Sequence, residues 1–296
     1  MSAVAERPVE PPLDLLPFDE AQRRHERRRR LVRGSLVGVS LLYLAVLLLL
    51  PLAGMVWIAF KPGLGAVLET FTLPDVRHAF FLTFEITIVT LIVCSLLGAV
   101  TAWVLVRYRF FGRRVVDAMV DLPLAVSPVT VGLAAVLLFG RGGWFEAWFA
   151  ARGIQIIFAV PSMILVTIFI CLPFVIRSVG PVLEEVGTEE EDAARTLGAS
   201  SIQTLFRVVI PNIRWGLLYG IALTMARAIG EIGAVLIVSA AIKGQTETAT
   251  IYILTAFEER QDAEGTVVAL TLAALSILLL VAIELSKRRR IREVSG

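Results

Sequence analysis

Two charged residues, Arg227 and Glu231, interrupt an apolar stretch that runs from about residue 212 to residue 242. If this stretch crosses a membrane, each charge costs about 2.5–3.5 kcal/mol near the bilayer centre, so the pair needs a compensating role. Residues four apart in a helix lie on one face, where an arginine and a glutamate can form an ion pair. Two roles are open: the pair stabilises the interior of a helix bundle, or the forked donors of Arg227 bind two oxygens of a tetrahedral anion.

Glycines in the same stretch would let a second helix approach closely, because they present no side chain at the contact. They are Gly216, Gly220, Gly230 and Gly233. We interpret them as the contact surface of a helix that lines an interface between two subunits.

The charged segment that precedes this stretch carries several helix-boundary signals. Thr188 followed by Glu191 predicts a capping box, in which the two side chains satisfy backbone N–H groups at the start of a helix. Gly198 predicts the end of that helix, because glycine readily adopts the left-handed conformation found there. Ser200 and Gln203 predict a second capping box at the start of another helix.

These signals predict two short helices, joined by a sharp turn, in a loop at residues 184–211. The second helix is expected to present one apolar stripe, formed by Ile202, Leu205, Phe206 and Val209. Pro211 marks the return of the chain to the membrane. The small pair Ala193–Ala194 beside Asp192 permits close approach by a partner, and the alternative is a solvated amphipathic connector.

The composition indicates that lipid surrounds most of the chain. Hydrophobic residues make up 57% of it, the mean hydropathy is +0.79 and charged residues amount to 18%, against about 25% in soluble proteins. A helix needs about 20 apolar residues to cross the hydrocarbon core. The apolar runs predict an all-α integral membrane protein with six spans, at about residues 34–60, 82–106, 117–140, 154–178, 212–241 and 265–285.

Lysine and arginine are distributed unevenly between alternate loops. Most of them share one side of the membrane with both termini, and the positive-inside rule makes that side the cytoplasm. Residues 1–33, rich in Pro, Glu and Arg, are expected to form a disordered cytoplasmic tail, and residues 287–296 a basic one. The arginine-rich run at 23–33 directly precedes a span, so we expect it to touch anionic lipid and not nucleic acid.

The sequence offers little for catalysis or metal binding. Cys94 and Cys171 lie in apolar runs and are expected to act as small buried hydrophobes, and their spacing predicts neither a metal site nor a disulfide framework. The sequence contains no G-x4-G-K-[ST] phosphate loop, so the chain is not expected to bind a nucleotide in that way.

The loop at 184–211 also contains the pattern D-A-A-x3-G-x9-V-x-I-P. It resembles the EAA signature of ABC importer permeases, E-A-A-x3-G-x9-I-x-L-P. Asp192 replaces the usual Glu and keeps its charge, while Val208 and Ile210 are aliphatic replacements; Ala193, Ala194, Gly198 and Pro211 match. The resemblance implies a type I ABC importer (MetI-like) permease fold, in which this loop carries the coupling helix that sits in a groove on the ATPase.

The same resemblance implies which residues couple the chain to the ATPase: Glu191, Asp192, Ala193, Ala194, Arg195, Leu197 and Gly198. It further implies that the chain is not an enzyme and binds no cofactor. MgATP would be bound by a dimer of ATP-binding-cassette ATPase subunits.

Three further segments resemble the sulfate/thiosulfate importer permeases of the CysW type: DLPLAVSPVTVGLAAVLLFG (121–140), PNIRWGLLYG (211–220) and ARAIGEIGAVLIVSAAIKGQT (226–246). This likeness implies a multi-pass protein of the bacterial inner membrane and an extracytoplasmic sulfate-binding protein as partner. It also implies a sister permease in a heterodimer, with a homodimer still open. Candidate residues of the translocation path are Ser127, Pro128, Arg227 and Glu231.

Two alternatives stay open. Molybdate/tungstate permeases share the pattern ARA-x-GE-x-GA, so this pattern does not separate one oxyanion from another, and the divergent external loop at 247–264 leaves the substrate in question. A secondary transporter or a channel would be a different class of protein. Secondary transporters usually contain repeated halves, and no repeat relates residues 34–140 to residues 153–286.

Overall fold

The computed structural model describes the backbone of residues 18–294 and the side chains of residue 32 and residues 34–282. Every regular element among the described residues is helical. The α-helices are α1 (Phe18–Phe60), α2 (Leu64–Thr70), α3 (Pro74–Arg107), α4 (Arg113–Ala125), α5 (Pro128–Phe139), α6 (Glu146–Ala150), α7 (Val160–Val186), α8 (Glu189–Thr196), α9 (Ser201–Thr204), α10 (Ile210–Ile229), α11 (Gly233–Ser239), α12 (Ala249–Glu258) and α13 (Asp262–Val294). One π-helical turn, Leu205–Val209, joins α9 to α10.

The chain divides into two compact units, residues 1–55 and residues 56–296. In the first unit, helix α1 begins at Phe18, inside the predicted tail, because arginine, alanine and glutamate are good helix formers and continue the apolar helix. Residues 1–17 lie outside the described residues. In the second unit, α13 extends through most of the predicted basic tail as far as Val294.

Within residues 18–294, five helices are long and apolar enough to cross a membrane: α1, α3, α7, α10 with the turns before it, and α13. Helices α4 and α5 provide a sixth span if they count as one, but they are bent by 113°. The predicted third span is therefore not a straight helix. Its break lies at Ser127, because a residue before proline avoids the helical conformation and Ser127 is extended before Pro128.

The predicted fifth span, residues 212–241, also differs from the structure. Helix α10 ends at Ile229 and α11 begins at Gly233. We expected one helix because the stretch is apolar and long enough. Glycine has a low helix propensity, and Gly230 and Gly233 flank the break.

Helices α3, α7 and α10 pack against one another and enclose a common core. The contact is close because glycines face α7. A Cβ added at Gly98 of α3 would lie 2.7 Å from the Val175 side chain, and one at Gly220 of α10 would lie 3.0 Å from the Val175 Cα. Cys94 and Cys171 belong to this core and are unpaired, as the sequence predicted.

Three of the four glycines that we assigned to an interface between subunits, Gly216, Gly220 and Gly233, pack inside this subunit. A Cβ at Gly216 would lie 2.8 Å from Val182 and 2.9 Å from the carbonyl oxygen of Ser178, both in α7. A Cβ at Gly233 would lie 3.1 Å from Pro128 of α5. The interface interpretation is therefore wrong for these three, because small residues mark any close helix contact and not only one between chains. For Gly230, which is exposed, it stays a prediction.

Replacing Gly216 by alanine is expected to destabilise the folded protein by about 1–3 kcal/mol, since the added methyl group overpacks the contact with α7. Gly180→Ala is the matched control, because Gly180 lies in α7 and a Cβ there would meet nothing within 4 Å. Alanine is the better helix former, so the control should be neutral or stabilising. Thermal unfolding in detergent measures both, and equal responses would contradict the packing described.

Candidate functional site in the α7–α10 loop and at the α10–α11 break

Gly198 ends the first short helix of the loop, as predicted. Its φ of +86° lies in the left-handed region. Its N–H donates to the carbonyl of Arg195 at 2.9 Å, and the N–H of Ala199 donates to Ala194 at 3.0 Å. These bonds satisfy carbonyls at the end of α8 and turn the chain sharply towards α9.

Ser200 and Gln203 form the predicted capping box. The Gln203 N–H donates to the Ser200 hydroxyl at 3.3 Å, and the Ser200 N–H donates to the Gln203 side chain at 2.9 Å. The helix that starts here is not separate, however. It continues through the π-turn into α10, so residues 201–229 form one extended helix that leads into the membrane.

The capping box predicted for Thr188 and Glu191 is wrong. Thr188 is in a helical conformation and its side chain makes no capping hydrogen bond. Capping needs an extended residue at this position. The Glu191 carboxylate faces the protein interior and is bonded there.

Glu191 is the buried charge of the loop, with 4% of its surface exposed. Its two oxygens accept hydrogen bonds from the end of α3: Trp103 donates its indole N–H at 3.0 Å, and Arg107 donates its Nε–H at 2.7 Å. Arg107 also donates to the carbonyl of Gly187. A buried carboxylate is not available to a partner protein, so the coupling role implied for Glu191 would have to act through its contacts inside the subunit, and it stays a prediction.

Glu190 makes a second attachment from the same turn of α8. Its carboxylate accepts a hydrogen bond from the side-chain amide of Asn212 at 2.6 Å, and Asn212 lies in the first turn of α10. Two neighbouring carboxylates therefore attach α8 to two different membrane helices. The acidic run indicated only a favourable helix dipole, which does not require specific partners.

The remaining candidate coupling residues face outward or lie partly exposed. Asp192, Ala193, Arg195 and Gly198 are exposed, Ala194 is half-buried, and Leu197 has 89% of its surface exposed. Arg195 donates to Asp192 at 3.3 Å, which orients both side chains on the outer face.

The predicted apolar stripe divides into two faces. Ile202 and Phe206, four residues apart, are exposed, with 71% and 57% of their surfaces accessible, whereas Leu205 and Val209 are buried in the core of α3, α7 and α10. We call these two residues and Leu197, all three apolar and exposed, the loop tip (Leu197, Ile202 and Phe206). Solvent-exposed apolar groups of this kind mark surfaces for protein contact.

Arg227 and Glu231 form the predicted ion pair, but not along one helix face. Glu231 lies beyond the end of α10, and its side chain reaches across the break to accept the N–H of Ala234, in the first turn of α11, at 2.9 Å. Its other oxygen contacts the Arg227 guanidinium. The Glu231 side chain is 1% exposed and that of Arg227 31%. The carboxylate thus satisfies a backbone N–H at the N-terminus of α11, where the helix dipole favours a negative charge.

Ser127 and Pro128 lie at the other break, between α4 and α5. Pro128 opens α5 and directly faces Gly233, which opens α11. Helices α5 and α11 also pack against each other over much of their length. The two breaks therefore meet, and the structure brings Pro128 close to the segment that carries Glu231.

Sequence reasoning missed an ion pair that joins α4 to α7. Arg177 donates to both oxygens of Asp121, at 2.8 and 2.7 Å, and also pairs with Asp117 at 2.9 Å. The two aspartates are four residues apart on α4, which was the available signal, but their partner is 56 residues away from Asp121. This contact is partly exposed.

A third buried carboxyl, after those of Glu191 and Glu231, lies in the loop between α11 and α12. Glu247 is 1% exposed, and its burial raises the pKa of the carboxyl above its ordinary value. Nearby, Lys243 pairs with Glu259 at 2.5 Å, and this contact raises the pKa of the lysine. The predicted external loop at 247–264 contains helix α12, which the sequence analysis did not separate.

The structure is that of a transmembrane transporter subunit. It combines candidate membrane spans with two helix breaks that face each other and a loop whose sharp turn is made by Gly198. The chain belongs to the family described as "Binding-protein-dependent transport system inner membrane component", whose model matches residues 92–292. This family assignment confirms the resemblance to ABC importer permeases.

Proteins of known name resemble the chain over most of its length. It is 43% identical over 258 residues to the "Sulfate transport system permease protein CysW" of Synechocystis, covering 87% of this chain and 94% of that protein. It is 42% identical over 244 residues to the CysW protein of Escherichia coli K12, covering 82% of each. The "Sulfate transport system permease protein CysT" of the same organism is 35% identical over 270 residues, covering 90% of this chain and 98% of that one.

A solved structure confirms the fold. A chain from the "Crystal structure of bacterial alginate ABC transporter in complex with alginate pentasaccharide-bound periplasmic protein" superposes with a TM-score of 0.74 at 16% identity. The match covers 90% of this chain and 96% of that one. The predicted all-α, MetI-like permease fold is therefore confirmed.

Replacing Arg227 by methionine is expected to destabilise the protein by about 3 kcal/mol, because it leaves the buried Glu231 charge unpaired. The double variant Arg227→Met/Glu231→Gln should recover most of that loss, since glutamine carries no charge and still accepts the Ala234 N–H. Thermal unfolding in detergent compares the two. A double variant as unstable as the single one would show that the charge is not the cause.

Proposed function

We propose that the chain is the transmembrane subunit of an ATP-driven importer for sulfate or thiosulfate. The sulfate assignment is supported by the CysW and CysT relatives, which align with most of the chain at 35–43% identity. The coupling role is supported by one structural observation: the loop tip is exposed and apolar, while the loop behind it is bonded to α3 and α10. Such a loop can accept force from a partner without deforming.

The proposed partners follow from the same comparison. A dimer of ATP-binding-cassette ATPase subunits, on separate polypeptides, binds MgATP and seats the loop tip. A sister permease completes a heterodimer, because both CysW-named and CysT-named proteins are relatives of this chain. An extracytoplasmic binding protein delivers the anion, and both termini lie in the cytoplasm, as the distribution of arginine indicates.

The proposed mechanism couples the two sides of the membrane by rigid-body motion. ATP closes the ATPase dimer and draws the two coupling loops together. The two permease subunits then rock to open outward and receive the anion, and hydrolysis returns them inward. This chain contributes no catalytic group to hydrolysis.

The break beside Arg227 is the segment that we propose lines the translocation path. The Arg227 side chain is 31% exposed although Glu231 already pairs with its guanidinium, so the side chain remains partly accessible to a passing anion. Uptake by the Arg227→Met/Glu231→Gln variant separates the two roles. Recovered uptake assigns a structural role to the pair, whereas lost uptake in a stable protein assigns the guanidinium to the anion.

Gly198→Val should abolish association with the ATPase and reduce ATP-dependent sulfate uptake more than tenfold. The reason is that valine resists the left-handed conformation that Gly198 adopts and so displaces the turn behind Leu197. Co-purification of the ATPase and uptake in proteoliposomes measure the two effects. Gly153→Val is the matched control, since Gly153 also has a positive φ, +69°, with open space around it, but lies outside the loop. Uptake that persists without an ATPase subunit would refute the proposed function.

Unlabelled sulfate should suppress the uptake of labelled sulfate by the reconstituted complex, and molybdate at the same concentration should not. The binding protein that serves this chain should likewise retain sulfate in equilibrium dialysis. Tight molybdate binding without sulfate binding would replace sulfate by molybdate as the substrate and leave the ATP-driven class unchanged.

A further inference from the structure

The burial of Glu191 is unusual for its position. It lies in a run of four acidic residues at the start of α8, and only Glu191 among them is buried. A buried carboxylate is costly unless charge and hydrogen bonds compensate it. Here Arg107 supplies the nearer charge, at 2.7 Å, and the half-exposed Arg195 a more distant one, at 3.9 Å. Arg107 and Trp103 supply the hydrogen bonds. The exposed members of the run already satisfy the helix dipole, so the burial of Glu191 requires another explanation.

The partners of Glu191 are themselves fixed. Trp103 and Arg107 are one turn apart at the end of α3, and both side chains are almost fully buried. The Trp103 ring also packs edge-on against Tyr108, with the ring centroids 5.6 Å apart. Trp103 belongs to the core that α3 shares with α7 and α10. A displacement of α8 is therefore transmitted to a packed helix and not to a mobile side chain.

A second contact leads from the same turn to α10. Glu190 bonds to Asn212, and α10 ends at the break that Arg227 and Glu231 hold. The carboxylates of Glu190 and Glu191 thus connect α8 to the two helices that enclose α7. Arg107 reinforces this arrangement through the carbonyl of Gly187, which lies between the end of α7 and the start of α8.

We infer that Glu191, through Trp103 and Arg107, is the rigid link that converts movement of the loop into movement of the membrane helices. The inference rests on the proposed function, in which an ATPase moves the loop. Glu191 is a positioning residue: it touches neither ATP nor the transported anion. Docking on the ATPase and transmission to the membrane are then carried by different residues, the loop tip for the first and Glu191 for the second.

The test uses the complete complex in proteoliposomes, with ATPase, sister permease and binding protein. Glu191→Ala and Arg107→Ala should retain the ATPase and continue to hydrolyse ATP, while the sulfate taken up per ATP hydrolysed falls tenfold or more. The double variant Glu191→Ala/Arg107→Ala should fall no further than either single variant, because the two residues act as one link. Glu189→Gln, an exposed carboxylate of the same turn, is the control and should leave the ratio unchanged.

Milder variants keep the test decisive if the alanine variants fail to assemble. Glu191→Gln retains an acceptor and Arg107→Lys retains the charge, so both should assemble and lower uptake per ATP by a smaller factor. Leu197→Asp, which places a charge on the exposed loop tip, is the reference for lost docking and should fail to retain the ATPase. Loss of the ATPase to the same extent in the Glu191 variants would place Glu191 in docking and overturn the inference. An unchanged ratio of uptake to hydrolysis in assembled variants would also overturn it. If the proposed function itself is wrong, the unmodified complex will show no ATP-dependent sulfate uptake. That outcome differs from every result that concerns Glu191 alone.

Discussion

The close packing of α3 and α10 against α7 is the constraint on which the other features depend. Gly98 and Gly220 let the two helices approach the same part of α7, around Val175. The end of α3 and the start of α10 are consequently held beside the loop that follows α7. Without this packing, Arg107 and Asn212 could not both reach neighbouring carboxylates of α8.

Buried carboxylates play a similar physical role at two distant places. Glu191 and Glu231 are each almost inaccessible to water, and each is compensated by arginine charge and by hydrogen bonds from N–H groups. Each also joins segments that the backbone alone does not hold: a loop helix to α3, and the end of α10 to the start of α11. A buried ion pair adds little net stability over an apolar contact but strongly penalises separation of its partners. We therefore expect the contacts of Glu191 and Glu231 to stay intact when the subunit changes conformation.

The sequence predicted the local conformation correctly where all interacting residues are close together in the chain. Gly198 and the Ser200–Gln203 capping box involve residues within a few positions, and both have the predicted conformation. Glu191 was misinterpreted because the capping signal is local, whereas its partners Trp103 and Arg107 lie more than 80 residues earlier in the chain. The break after Ile229 was missed for the opposite reason: apolar length predicts a span, but the Ala234 N–H that Glu231 accepts becomes available only if the helix stops.

The π-turn at Leu205–Val209 sets the angle between the loop tip and the core face of the same continuous helix. Successive residues of a helix are rotated by about 100°, so the loss or gain of one residue in this turn would swing Ile202 and Phe206 towards a different direction while α10 stayed in place. Evolution can exchange side chains here at modest cost, but it cannot change the number of residues without redirecting the surface. The segment should therefore vary in composition and not in length, and its length should be matched to the surface of the ATPase that we propose as its partner.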